Sequence, residues 1–228
     1  MHATHPLDRP ALNALTTRQA HLAVADGPAL RFDPAYALFA AVPRDAPDWS
    51  ALQRLARATG TIALFEADAP EPPGFEPIDH VPCLQMTCEA LTSGGRAVEV
   101  EDLTDADGPE MLALATLTRP GPFLEKTHLL GPFVGVRREG RLVAMAGERL
   151  SLDGYGEVSG VCTHPDFRGQ GLAGALMRIV TSRILQRGET AFLHARAAHV
   201  DTIAFYETLG FRGRALIDYR VLAATGPG

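Results

Sequence analysis

The segment EVSGVCTHPDFRGQGLAGALM, residues 157–177, constrains the fold more than any other part of the chain. A strand-like run, EVSGVC, passes through a proline-containing loop and a pair of glycines into the helical pattern GLAGALMRIVTSRILQR. Leu172, Leu176, Ile179 and Val180 fall on one stripe of that helix, and Arg178, Arg183 and Arg187 fall away from it. A helix that begins at glycine offers unpaired backbone N–H groups and the positive end of its dipole, a setting suited to a diphosphate. Gly169 and Gly171 let the backbone approach such a ligand with no Cβ in between. GQGLAG also matches the G-x-G-x-x-G fingerprint of dinucleotide-binding folds, but the context is wrong. THPDFR separates the strand from the first glycine, and the position about twenty residues on offers His194 and Arg196 where that fingerprint needs an acid. No Gly-Lys-Ser/Thr follows, which excludes a P-loop.

The surrounding pattern is α/β. After residue 95 the order is a strand (RAVEVEDL), a helix (PEMLALATL), and a hairpin (FVGVRREGRLVAMAGERL) turning at Glu139-Gly140. The strand and helix of residues 157–187 follow, then a strand (TAFLHARA), a helix (HVDTIAFYETLG) and a closing strand (FRGRALIDYRVLA). That order predicts a mixed sheet flanked by helices. Before it, a helix is predicted over Ala11–Val24 and another over DWSALQRLARATG, with Asp48 as its N-cap and Gly60 as its stop. TIALFEAD reads as a strand, and the proline-rich acidic stretch 66–82 as connection. The expected division is a smaller α/β N-terminal domain, residues 1–95, and a second domain, residues 96–228.

Composition narrows the function classes. A net charge of −6 argues against nucleic acid as a partner. The opening MHATHPLDRP lacks a leader's apolar core, and no run reaches the eighteen or so apolar residues of a membrane span, so a cytoplasmic protein with no membrane partner is expected. Cys83, Cys88 and Cys162 are too few and too oddly spaced for a zinc site or a disulfide framework. His164 and His194 lack acidic or cysteine neighbours at ligand spacing, so no metal is expected.

The loop and a later motif together resemble the GNAT superfamily of N-acetyltransferases. Arg168, Gly171 and Ala173 fill the Arg/Gln-x-x-Gly-x-Gly/Ala signature of its acyl-CoA site, and FYETLGF resembles the second superfamily motif in the expected order. The resemblance covers residues 96–223, and the whole arrangement looks like a bacterial branch with a divergent N-terminal half. It implies acetyl-CoA as the acyl donor. Backbone groups of Val161 and Thr163, flanking Cys162, would hold the pantetheine arm, and Arg168, Gly169, Gln170, Gly171, Leu172 and Ala173 would wrap the diphosphate. The position that often carries Asn in the superfamily is His199 here, a poorer helix cap that can still hydrogen-bond near the coenzyme arm.

Amide formation from a thioester poses two proton problems: an alkylammonium must lose a proton, and the departing thiolate benefits from an acid. Tyr206, beside the coenzyme, is the candidate acid, since a phenol stays protonated at neutral pH. Glu157 is the candidate base; it stands eleven positions before Arg168, where histone acetyltransferases of the superfamily resemble it. Glu157, Ser159 and Val161 alternate onto one face of the strand. Glu148 is the alternative base. Cys162 reads as a small core residue rather than a nucleophile. The loop RPGPFLEKTHLLGPF offers Phe123 and His128 as walls of an acceptor pocket. The expected function is transfer of an acetyl group to the amine of a small molecule or amino acid by direct attack, with a homodimer compatible. The acidic net charge favours a cationic or neutral acceptor. The alternative is a non-catalytic acyl-CoA-binding sensor, which would need neither Tyr206 nor an open acceptor pocket.

Overall fold

A computed structural model describes residues 5–226; residues 1–4, part of the opening stretch read for a leader, and 227–228 lie outside the described residues. The first helix, α1, spans Pro10–Thr16 rather than reaching Val24. The hydroxyls of Thr16 and Thr17 donate back to the carbonyls of Leu12 and Asn13, at 2.9 and 2.5 Å, and their β-branched side chains disfavour further turns. The rest of the predicted helix becomes a turn, a short 3-10 segment (Ala20–Leu22) and, at Ala23 and Val24, the start of β1 (Ala23–Asp26), which turns at Gly27 (φ +55°) into β2 (Ala29–Phe32). β3 (Phe39–Ala41), α2 (Trp49–Thr59) and β4 (Ile62–Glu66) follow. Asp48 caps α2 through the backbone N–H of Ala51 at 2.9 Å, and Gly60 ends it, both as the sequence predicts.

The largest departure is β5, Phe75–Cys88, a strand that takes in much of the stretch read as connection. Its prolines are tolerated because residues 75–81 pair on one side only, with the closing strand, and Pro82 meets the other side only as an acceptor, from Ala197 N–H at 2.9 Å, before strand pairing begins at Cys83. The predicted strand RAVEVEDL shortens to β6, Glu101–Leu103. α3 (Gly108–Thr118), β7 (Phe133–Arg138), β8 (Arg141–Leu152), β9 (Tyr155–Thr163), α4 (Leu172–Gln186), β10 (Thr190–Arg196), α5 (Val200–Leu209) and β11 (Arg212–Ala224) complete the chain. The β7–β8 turn carries positive φ at both Glu139 (+52°) and Gly140 (+77°), as a tight hairpin turn requires.

All these strands join one mixed sheet in the order β1-β2-β3-β4-β11-β5-β10-β9-β8-β7-β6. The order contains a repeat that the sequence hides. β3 and β4 run parallel around α2, and β9 and β10 run parallel around α4. Each unit extends outward through antiparallel strands, β2 and β1 in one, β8 and β7 in the other. The final strand of each half is exchanged: β4 pairs with β11 and β10 pairs with β5, while β5 and β11 pair with each other along most of their length. α4 covers one apolar cluster through Leu172, Leu176 and Val180; α1 covers a second with Phe32, Phe39 and Phe65; α2 covers a third.

Candidate active site

The site begins where a ladder stops. β9 and β10 pair only at Tyr155–Thr190, Gly156–Ala191 and Glu157–Phe192. Beyond Glu157 the two strands diverge, one to Thr163 and the other to Arg196, leaving backbone groups on facing edges free for a ligand. Two clefts occupy this opening, and Pro120 and Val161 line both.

The first cleft, about 350 Å³, is lined by Val161, Cys162, Thr163, Arg168, Gly169, Gln170, Gly171, Leu172 and Ala173, together with Phe205. Gly171 is the N-cap of α4 with φ +74°, and no side chain caps the helix, so its first N–H groups face the cleft uncompensated. Gly169 has φ +75°; the left-handed backbone at both positions is what glycine permits. The buried Oγ1 of Thr163 has no partner among the described residues. The equivalent end of α2 is closed by the carboxylate of Asp48, which satisfies an N–H and repels anions. Burial pushes the Cys162 thiol up to about 11, so it stays a neutral core group.

The second cleft, about 320 Å³, lies on the other side of Val161. Tyr206 and His199, expected beside the coenzyme, line this cleft rather than the first. His199 is the N-cap of α5 but makes no side-chain cap bond, in keeping with a poor capping residue. Tyr206 is half-buried against Phe211, and burial raises its phenol above the ordinary value. Phe39, Phe65, Val81 and Cys83 line the cleft from the first 95 residues. Phe123 contributes to the wall with Arg119, Pro120, Gly121 and Pro122. His128 does not: its ring turns away to Asp105, at 2.8 Å.

Glu157 forms the floor, 1% exposed. A register shift sets Arg149 and Leu150 of β8 opposite Glu157 of β9, and the resulting bulge aims both side chains to one face. Arg149 grips the carboxylate with two bonds, Nε to Oε2 at 2.9 Å and Nη2 to Oε1 at 2.7 Å. The Leu150 N–H donates to it at 3.2 Å, and His194 Nδ1 lies 2.8 Å away. Burial alone would raise this carboxyl, but the Arg149 fork and His194 hold it down to about 2. Such a carboxylate accepts protons poorly. Burial holds His194 itself below its usual value, and its Nε2 contacts Gln85 Nε2 at 2.9 Å, so the neutral ring donates to Glu157 and accepts from Gln85. Arg149 also stacks over Phe39, 4.8 Å from the ring centre. Glu148 lies outside both clefts, paired with Arg187 at 2.7 Å.

Sequence reasoning missed Arg149, His194 and Gln85. A signal for Arg149 was present in ERLSLDGYGE, where a tight turn at Asp153-Gly154 folds Arg149 back beside Glu157; the contribution of Gln85 had none, because it depends on the placement of β5.

The chain is 41% identical to a protein of known structure assigned to the GNAT family of acetyltransferases, from Novosphingobium aromaticivorans DSM 12444, over 98% of this chain and all of that one, with a TM-score of 0.88. The chain belongs to the GNAT family. Residues 133–221 of this GNAT protein match the family model described as FR47-like protein. A GCN5-related N-acetyltransferase from Kribbella flavida shares the fold at 22% identity, with a TM-score of 0.65 over 99% of this chain and 98% of that one. A tandem GNAT protein from the clavulanic acid biosynthesis pathway shares it at 14% identity, with a TM-score of 0.54 over 84% of this chain and 77% of that one. No curated protein matches the chain. Among the described residues no helix is long and apolar enough to cross a membrane, and no cluster of His, Cys, Asp and Glu is arranged to hold a metal ion.

Proposed function

We propose that this GNAT protein is an acetyl-CoA-dependent N-acetyltransferase acting on a small amine, with the coenzyme in the first cleft and the amine in the second. The observation that carries this reading is the meeting of the two clefts at Val161 and Pro120, beside Tyr206. Acetyl-CoA, when bound, supplies an activated acyl thioester. The α4 N-terminus, Gly169 and Gly171 are suited to its diphosphate, with Arg168 adding charge at the rim, and the free edge of β9 to its pantetheine amides. The amine nitrogen attacks the thioester carbonyl, the C–S bond breaks, and Tyr206 gives its proton to the departing sulfur. The phenol then regains a proton from solvent, which also receives the one lost by the amine.

Glu157 is assigned a positioning role: it fixes Arg149 and His194 rather than taking the amine's proton. Three guanidinium groups, Arg119, Arg149 and Arg196, line the second cleft. Arg119 and Arg196, the two that no carboxylate neutralises among the described residues, disfavour an ammonium ion nearby and so lower the amine's pKa without a dedicated base. We take residues 1–95 as a divergent half that walls the acceptor cleft and donates β5. The three free cysteines are all buried, which fits a reducing, cytoplasmic setting.

The test is release of free thiol from acetyl-CoA in the presence of a panel of primary amines. Tyr206→Phe should lower kcat by about 100-fold with little change in acetyl-CoA affinity. Unchanged turnover in this variant would remove Tyr206 as the acid. Acetyl-CoA binding with no turnover on any amine would favour the sensor reading.

A further inference from the structure

The charge of the acceptor cleft is opposite in sign to that of the whole chain. The protein carries a net charge of −6, and from that alone a cationic or neutral acceptor is expected. The cleft, however, is lined by Arg119, Arg149 and Arg196 and by a single acid, Glu157. Arg149 and Glu157 neutralise each other through a bidentate pair. Arg119 and Arg196 make no side-chain hydrogen bond or ion pair among the described residues, although the chain pairs most of its other arginines. They stand on separate elements. Arg196 ends β10 opposite Cys83, and its charge acts on Cys83 and Tyr219, both on the cleft wall. Arg119 closes α3 in a left-handed backbone conformation (φ +51°), a common way for a helix to stop. Five aromatic side chains, Phe39, Phe65, Phe123, Tyr206 and Tyr219, supply much of the remaining wall, beside the aliphatic Val81, Val158, Val161 and Leu193. Arg168, the arginine of the diphosphate loop, faces the other cleft.

Resting on the acyltransferase reading, we propose that the acceptor is a primary amine that also bears a carboxylate on an apolar or aromatic body, and that Arg196, with Arg119, receives the carboxylate. A guanidinium presents two parallel N–H donors that match the planar carboxylate, which a neutral side chain cannot do. The volume of about 320 Å³ suits a molecule the size of an amino acid. The aromatic walls take the body of the acceptor, and the amine is left facing Val161 and Tyr206, where the thioester would arrive. The local field, not the net charge, decides which ion enters a cleft.

The experiment compares matched pairs: apolar and aromatic L-amino acids against the same amines lacking the carboxylate, such as phenylalanine and 2-phenylethylamine. Thiol release is measured with acetyl-CoA, and acetyl-CoA affinity is measured separately by calorimetry. The amino acids should show kcat/KM about 10–100-fold above their partners, the range expected for a charge-assisted hydrogen bond. Arg196→Gln should abolish that preference, and Arg119→Gln should reduce it, with acetyl-CoA affinity within about two-fold of the unchanged protein. Equal or better turnover of the decarboxylated partners, or no turnover of any pair by protein that binds acetyl-CoA, overturns the carboxylate proposal. Failure to bind acetyl-CoA overturns the acyltransferase reading beneath it, and calorimetry separates the two results.

Discussion

Glu157 shows how a residue's identity can be readable while its role is not. Its position eleven residues before Arg168 and its alternation with Ser159 and Val161 single it out in the sequence, and it lines the second cleft with both of them. Its proton affinity depends on Arg149 and on His194, which arrive from neighbouring strands, and no spacing rule reports that. Glu157→Gln should therefore act first on stability. It leaves Arg149 a buried charge with a neutral partner, which should cost about 3–5 kcal/mol in denaturant unfolding. Loss of a general base would instead remove the rise of rate with pH on the acid side of the profile, with stability intact. The same pair sets an acid limit. The folded carboxyl titrates near 2, against an ordinary 4.5, so the unfolded chain binds a proton more readily between those values. Stability from this group is complete above about pH 4.5 and is lost as the pH falls towards 2. His194, buried and held neutral, acts in the same direction below its usual value of 6.5, because only the unfolded chain protonates there. Thermal melts from pH 7 to 3 should show a falling midpoint that flattens in Glu157→Gln; a midpoint rising in acid would contradict the assignment.

At the scale of elements, α4 was the most legible part of the chain, because its stripe, its glycines and its stop all lie within one contiguous segment. α2, with Asp48 and Gly60, was legible for the same reason. β5 was not. Its prolines are strand-breakers unless one edge is free, and only the finished sheet reveals that residues 75–81 have such an edge. The end of α1 is hard to read because apolar residues recur past Thr17, at Ala20, Leu22, Ala23 and Val24, where they serve a 3-10 segment and then β1. A Cβ at Gly171 meets no neighbouring atom, so packing does not oppose it, but the left-handed φ of +74° does, by about 1–2 kcal/mol. Gly171→Ala should keep the fold and weaken acetyl-CoA binding at least about 10-fold, since either the loop shifts or a methyl group enters the diphosphate site. Undiminished affinity would mean that the coenzyme lies elsewhere.

Across the whole molecule, the exchange of β5 and β11 makes the two halves depend on each other. Cutting near residue 95 looks natural from the sequence, yet it removes β5 from between β10 and β11 and bares an edge on each. A fragment of residues 96–226 should aggregate or fail to show a cooperative melt; a monomeric, cooperatively folded fragment would show that the exchange is dispensable. The exchange was invisible beforehand because strand order is a long-range property, and the repeated strand–helix–strand unit has no matching motif in the first half. That asymmetry makes the coenzyme sites countable. Two crossover helices stand in comparable places in the fold, but only α4 has an open N-terminus; Asp48 closes α2. The most direct measurement is calorimetric titration of acetyl-CoA into the intact protein, repeated with Gly171→Ala. One coenzyme per chain, bound more weakly by the variant, is the expected result. No heat of binding, or a second equivalent site per chain, would contradict it.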